Sequence, residues 1–291
     1  MKRIQRSKQL ASVSTALVSA RVWPRQAWTV WQFLAFAAPA LAGFGLAVWL
    51  HTWKVPQRDM FLLFNAWAAD HAPGMWAALT MLGNTSVLVC LLSPLMLLRP
   101  QIVVAIVAAI PAGGFLSLAF KRFFDAPRPA DLIDPAQFNV VGVWLTGNSF
   151  PSGHTITAFA AAAAVCACHD LHPRAVTKRW MNVATVALAC LVGASRVAVG
   201  AHWPLDVLAG ASLGWLAGLT GVWVCQRWPC IWQTAMWQWA VVVSICAVSW
   251  LVHSQATGQP SAAWVVWLAT TCAAVTLGWM VQTRLLTERK S

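Results

Sequence analysis

The chain has 291 residues, of which 59% are hydrophobic and only 10% charged, with a mean hydropathy of +0.64. Soluble domains carry roughly a quarter charged residues, so this composition excludes an ordinary soluble domain and points to several apolar helices, each needing about 20 residues to cross a bilayer. The net charge of +12 would suit a nucleic-acid binder, but its distribution does not: Lys2, Arg3, Arg6, Lys8, Arg21 and Arg25 precede the first apolar run and others sit in short loops, as in a membrane protein that holds its orientation and touches an anionic lipid surface.

Residues 1 to about 27 lack a convincing signal-peptide core and read as a basic cytoplasmic arm. A first span is expected over Val30–Leu50. Met60–Ala69 is apolar but too short to cross, which predicts an interfacial helix. Further spans are expected over Trp76–Leu98, Ile102–Phe120, Gly153–Cys168, Trp180–Val199, Pro204–Cys225, Ile231–Val252 and Ala263–Met280. Gly113-Gly114 would permit close helix contact in the third. Many of the 20 tryptophans, among them Trp31, Trp49, Trp53, Trp180, Trp228, Trp264 and Trp267, fall near span ends and suit interfacial anchoring. The eight cysteines lack Cys-x-x-Cys spacing and read as small buried hydrophobes.

Eight spans place both termini on one side. Assigning that side to the cytoplasm leaves only Lys54, Arg58, Lys121, Arg122, Arg128 and Arg196 on the other, consistent with the positive-inside rule. The same parity brings three polar stretches to one face. The first is Lys121-Arg122-Phe123-Phe124-Asp125-Ala126-Pro127-Arg128-Pro129, whose Lys121 and Arg128 supply a point charge and a planar fork for phosphate oxygens. Cations beside a span are more often snorkelling anchors.

The second stretch is Pro151-Ser152-Gly153-His154. Ser152 is placed as an N-cap, and free N–H groups beside Gly153 would suit phosphate. The third runs from Ser195 to Asp206. Pro204 is a good first helical residue, which puts Asp206 in the first turn and His202 just outside it. A histidine beside a carboxylate, with Arg196 near, is a candidate nucleophile with its orienting group. Asp125, Asp131 and Asp134 are too sparse, and too close to prolines, to suggest a metal site.

Lys-x6-Arg-Pro, Pro-Ser-Gly-His and Ser-Arg-x5-His-x3-Asp together resemble the three-part signature of the type 2 phosphatidic acid phosphatase (PAP2) superfamily. The similarity covers roughly residues 60 to 222, with Asn65 and Leu82-Gly83-Asn84 resembling its upstream region. The resemblance implies an all-α polytopic bundle with a six-helix core and two further C-terminal spans. Residues 1–27 would form the arm, 28–228 the catalytic membrane domain, and 229–291 the added helices and tail. It implies phosphoester hydrolysis with no metal or other cofactor: His202 attacks, Asp206 orients it, His154 is the acid and base, and Lys121, Arg128, Ser152, Gly153 and Arg196 hold the phosphate. The expected substrate is a membrane lipid phosphate or diphosphate of a bacterial envelope, met on the periplasmic face. Undecaprenyl diphosphate, phosphatidylglycerophosphate, phosphatidic acid and lipid A all fit. A lipid phosphotransferase, or a non-catalytic transporter or scaffold, is the alternative; no nucleic acid is expected, and protein partners are not indicated.

Overall fold

The computed structural model describes residues 28–168, 175–228 and 260–288. The basic arm and the expected span Ile231–Val252 lie outside them. Among the described residues the architecture is all-α, in the order α1 (Val30–Thr52), α2 (Arg58–Asp70), α3 (Pro73–Met81), α4 (Thr85–Leu92), α5 (Leu95–Leu98), α6 (Pro100–Phe124), α7 (Pro129–Leu132), α8 (Gly153–Cys168), α9 (Ala175–Ala198), α10 (Pro204–Arg227) and α11 (Ala263–Glu288). Five stretches are long and apolar enough to cross a membrane, and α8 is a shorter apolar helix of 16 residues. The protein is a multi-pass helical membrane protein.

Helix α10 is the central element, packed against α8, α6 and α1. Its glycines make this possible. A Cβ at Gly210 would stand 2.7 Å from the Ser152 carbonyl oxygen, and Cβ atoms at Gly214, Gly218 and Gly221 would collide with the carbonyls of Ile156, Ala160 and Ala105. Gly210, Gly214 and Gly218 recur every four residues and so form one stripe, letting the two backbones touch as small residues do in membrane helix pairs. The facing surface of α8 is a run of alanines, and Ala160 to Ala164 are all buried. This contact sets where the starts of α8 and α10 meet, and both starts carry polar signature residues.

Two expectations need correction. The predicted span Trp76–Leu98 is not one helix: α3 and α4 are bent by 80° at a short break. The cause is local. The Asn84 side chain accepts the Ser86 and Val87 amides at 3.0 and 3.3 Å, so it caps a new helix where the old one ends. Pro94 then precedes the separate turn α5. The third span, expected to stop at Phe120, continues as α6 to Phe124, so Lys121 is helical.

The last helix is not an appendage. Val265, Val266, Ala269 and Ala273 of α11 share a buried cluster with Val87, Cys90 and Met96, and Ser93 Oγ lies 3.2 Å from Thr276 Oγ1. Trp31, Trp49, Trp53, Trp180, Trp264 and Trp267 are exposed on the bundle surface, where lipid or its headgroups would meet them.

Candidate active site

Helix α10 starts at Pro204, as its position in the sequence predicts. Asp206 is therefore the third helical residue, and its Oδ2 reaches back to accept the Trp203 amide at 2.9 Å. The same oxygen lies 3.3 Å from His202 Nδ1 and accepts the Ser149 hydroxyl at 2.5 Å. One turn of chain thus holds imidazole and carboxylate together, and Ser149 fixes the carboxylate from across the site. Gly200 makes the preceding turn: its φ is +78°, and a Cβ there would stand 2.5 Å from the Asn139 carbonyl oxygen. A side chain would be strained twice over.

Arg128 stands on the other edge of the ring. Its Nη1 is 3.3 Å from His202 Nε2 and donates to the Ala201 carbonyl at 2.9 Å, while Nε donates to the Gly147 carbonyl at 2.8 Å. A guanidinium has donors only. The Nε2 facing it is therefore the unprotonated nitrogen, and the ring proton sits on Nδ1, toward Asp206. Burial pushes the His202 pKa well below the usual imidazole range, helped by Arg196, Arg128, Lys121 and His154 in that order. The ring is held neutral, with its lone pair on the cationic side.

The remaining signature residues gather around this pair. Lys121 Nζ donates to the Asn148 carbonyl at 2.7 Å. Arg196, on the last turn of α9, is 4% exposed. Its Nη1 donates to Thr80 Oγ1, and its buried Nε has no hydrogen-bond partner among the described residues. His154, on the first turn of α8, packs on the α3–α4 break, where a Cβ on Gly83 would stand 2.6 Å from its own. Gly83, Gly153 and His154 line one end of a cavity of about 390 Å³ whose walls continue along Ile106, Ile110 and Ile156.

Ser152 stands apart from the expected phosphate ligands. It is fully buried, its amide donates to the Asp206 carbonyl at 3.0 Å, and its hydroxyl accepts from Thr155 at 3.0 Å. Its amide ties the start of α8 to the first turn of α10, and its hydroxyl bonds within α8.

The loop acids also have structural work. Asp131 Oδ2 accepts the Arg128 amide at 2.7 Å and the Gly147 amide at 2.8 Å, and Asp134 Oδ1 accepts the Ala136 amide at 2.9 Å. Among the described residues no cluster of His, Cys, Asp or Glu has the geometry to hold a metal ion.

Asn65, fully buried on α2, stitches the loop to the end of α9. Its Nδ2 donates to the Asn139 and Ala198 carbonyls at 2.9 Å each, and its Oδ1 accepts the Asn139 amide at 2.7 Å. Ser149 and Thr80 were not singled out from the sequence. Their hydroxyls carry no charge, and each lies only near a recognisable motif, Ser149 three residues ahead of Ser152 and Thr80 two ahead of Leu82-Gly83-Asn84.

The fold and this site define a polytopic helical membrane protein with a buried imidazole–carboxylate pair beside a rim of cationic side chains. The chain belongs to the PAP2 superfamily, whose family model matches residues 102–232. Lipid A 1-phosphatase of Porphyromonas gingivalis is 42% identical over 79 residues, covering 26% of this chain and 16% of that protein. Undecaprenyl-diphosphatase of Sulfolobus acidocaldarius is 33% identical over 122 residues, covering 41% of this chain and 52% of that protein. This chain therefore spans about half the length, or less, of those two relatives. The crystal structure of Aquifex aeolicus LpxE is similar at 30% identity and a TM-score of 0.48, covering 57% of this chain and 93% of that one.

Proposed function

We propose that the protein is an integral-membrane lipid phosphatase that hydrolyses a lipid phosphate or diphosphate through a phosphohistidine on His202, without a metal, with residues 28–228 as its catalytic domain. The observation that carries this reading is the line Arg128–His202–Asp206, which leaves a neutral Nε2 pointing at a guanidinium. A phosphoryl group drawn to Arg128 meets that lone pair. Nε2 attacks phosphorus and the bond to the lipid oxygen breaks. Asp206 stabilises the positive ring that results, as in a catalytic triad. His154 gives its proton to the leaving oxygen and then accepts one from the water that cleaves the phosphohistidine. Lys121, Arg128, Arg196 and the Gly153 start of α8 balance the charge on the equatorial oxygens, a role that usually supplies the largest share of catalysis. Arg196 Nε, a buried donor without a hydrogen-bond partner among the described residues, is left to pair with such an oxygen.

The relatives named as lipid A 1-phosphatase and undecaprenyl-diphosphatase support such a lipid as substrate, and the bias of Lys and Arg across the expected spans supports a pocket on the periplasmic face of a bacterial inner membrane. The test is phosphate release by purified protein across lipid A, undecaprenyl diphosphate, phosphatidylglycerophosphate and phosphatidic acid, with excess chelator present. Release from at least one lipid, undiminished by chelator, is expected. No release from any, or release that needs a divalent ion, overturns the proposal.

A further inference from the structure

The cavity of about 390 Å³ between α4, α6 and α8 has His154 at one end. A histidine that protonates the leaving oxygen has the leaving alcohol on its own side of the phosphorus, and this cavity is the space beside it.

The cavity walls change from polar to apolar with distance from His154, on three helices at once. On α6, Ser117 lies one turn before Lys121, and Ile110 and Ile106 stand about 11 and 17 Å from Ser117 along the helix. On α4, Thr85 and Ser86 come before Leu88, and on α8, Thr157 comes before Ala160. Among the described residues that line the cavity, His154 alone can become a cation, and none is Lys, Arg, Asp or Glu.

The hydroxyls at the polar end keep hydrogen-bonding capacity for a ligand. Thr157 Oγ1 donates to the Gly153 carbonyl at 3.3 Å and lies 2.9 Å from Thr85 Oγ1. Thr85 is therefore the donor of that pair, and its oxygen is left as an acceptor. Ser212 and Thr220, inside α10, bond back to the carbonyls four residues earlier at 3.0 and 2.9 Å. Ser117 makes no such bond among the described residues. Its Oγ lies beside Gly153, 3.6 Å from where a Cβ there would stand.

Resting on the phosphatase reading, we propose that Ser117 and Thr85 select a lipid phosphomonoester whose phosphate joins its chains through a neutral linker bearing hydroxyl or carbonyl oxygens, a glycerol or a sugar. A linker hydroxyl donates to Thr85 Oγ1, and Ser117 donates to a linker oxygen. One hydrocarbon chain continues along Leu88, Ile110 and Ile106. A diphosphate on a plain polyprenyl chain suits these walls less well. Its ionised inner phosphate has no hydrogen to give Thr85, and it would bring a charge against uncharged side chains.

The experiment measures phosphate release by the purified full chain from four lipids with chains of equal length: a lysophosphatidic acid, an acylated glucosamine 1-phosphate, a plain alkyl phosphate and a plain alkyl diphosphate. At least one of the first two should exceed both plain lipids in kcat/KM by about fivefold, the worth of one hydrogen bond, and the faster of them names the linker. Ser117→Ala should bring that ratio close to one. Gly114→Leu should raise KM for all four, because it narrows the cavity at a position where an added Cβ meets nothing within 4 Å. No release from any of the four overturns the phosphatase reading and this proposal with it. Release from either plain lipid as fast as from both linker-bearing ones, or a ratio unchanged in Ser117→Ala, overturns this proposal alone.

Discussion

Arg196 and Arg227 each lie in the last turn of an apolar helix, α9 and α10, whose ends face opposite ways along the bundle. Arg196 is buried, donates to Thr80, and its Nε has no partner among the described residues. Arg227 is exposed, and its guanidinium lies 5.9 Å over the Trp228 ring. The first is held by its surroundings at a cost in desolvation that a polar partner must offset. The second keeps its charge in water and its stem along apolar surface. Lys121 and Arg122 repeat the contrast between adjacent residues: Lys121 is half-buried and bonded to the Asn148 carbonyl, and Arg122 is exposed. A cation at a span end becomes a candidate ligand when the fold fixes its geometry, and otherwise it anchors.

Substitutions can break this contrast, beginning with the His202–Asp206 pair that Arg128, Arg196 and Lys121 flank. His202→Ala and Asp206→Asn should each lower turnover by about 10⁴-fold or more, as loss of a nucleophile or of its orienting carboxylate does in triads. Normal thermal stability of the His202→Ala protein, measured in parallel, separates chemistry from folding. Arg128→Ala and Arg196→Ala should each cost about 10²–10³-fold in kcat, the loss expected for one charge-stabilising donor. If Arg196→Ala were as active as the unaltered protein, the burial of Arg196 would be structural only and the contrast with Arg227 would fail.

Ser149→Ala should cost about fivefold in kcat, because Asp206 keeps its bond from the Trp203 amide but loses one hydrogen bond of about 1 kcal/mol. Restoration by Ser149→Thr would show that the hydroxyl positions Asp206. At the small end, Arg122→Ala and Arg227→Ala should leave kcat/KM within about twofold, as for surface changes generally.

The His202 environment also sets a pH limit. In the proposed mechanism the neutral ring is the nucleophile, and its depressed pKa keeps it neutral as pH falls. The acid limb of kcat/KM belonging to His202 should therefore lie below the ordinary imidazole value of about 6.5. Profiles of kcat/KM against pH check this, and an acid limb assigned to His202 at or above that value would contradict the buried, cation-flanked ring.

The parts of this arrangement that were legible in the sequence are those fixed by local chemistry. Apolar runs bounded by Pro and charge marked most helix ends. Pro204 placed the start of α10, and Asp206 followed from it by helical spacing. The 80° break at Gly83-Asn84 was not read, because hydropathy averages a window without regard to chain direction, although a glycine followed by a capping residue was present. Gly210, Gly214 and Gly218 passed as ordinary span residues, since their role appears only when α8 is laid against them. Ser149 and Thr80 depend on contacts to residues 57 and 116 positions away, a pairing that nothing in their neighbours specifies. The motif marks Ser152 as a phosphate ligand, while its burial and its bonds with Asp206 and Thr155 emerge only when α8 and α10 meet.

The most direct test of the account is to mix purified protein with a lipid carrying a radiolabelled terminal phosphate, quench within one turnover and map the label. The account predicts an acid-labile, base-stable phosphoryl group on His202, absent from the His202→Ala protein. Label recovered on another residue, or turnover with no protein-bound phosphate at any quench time, would contradict it.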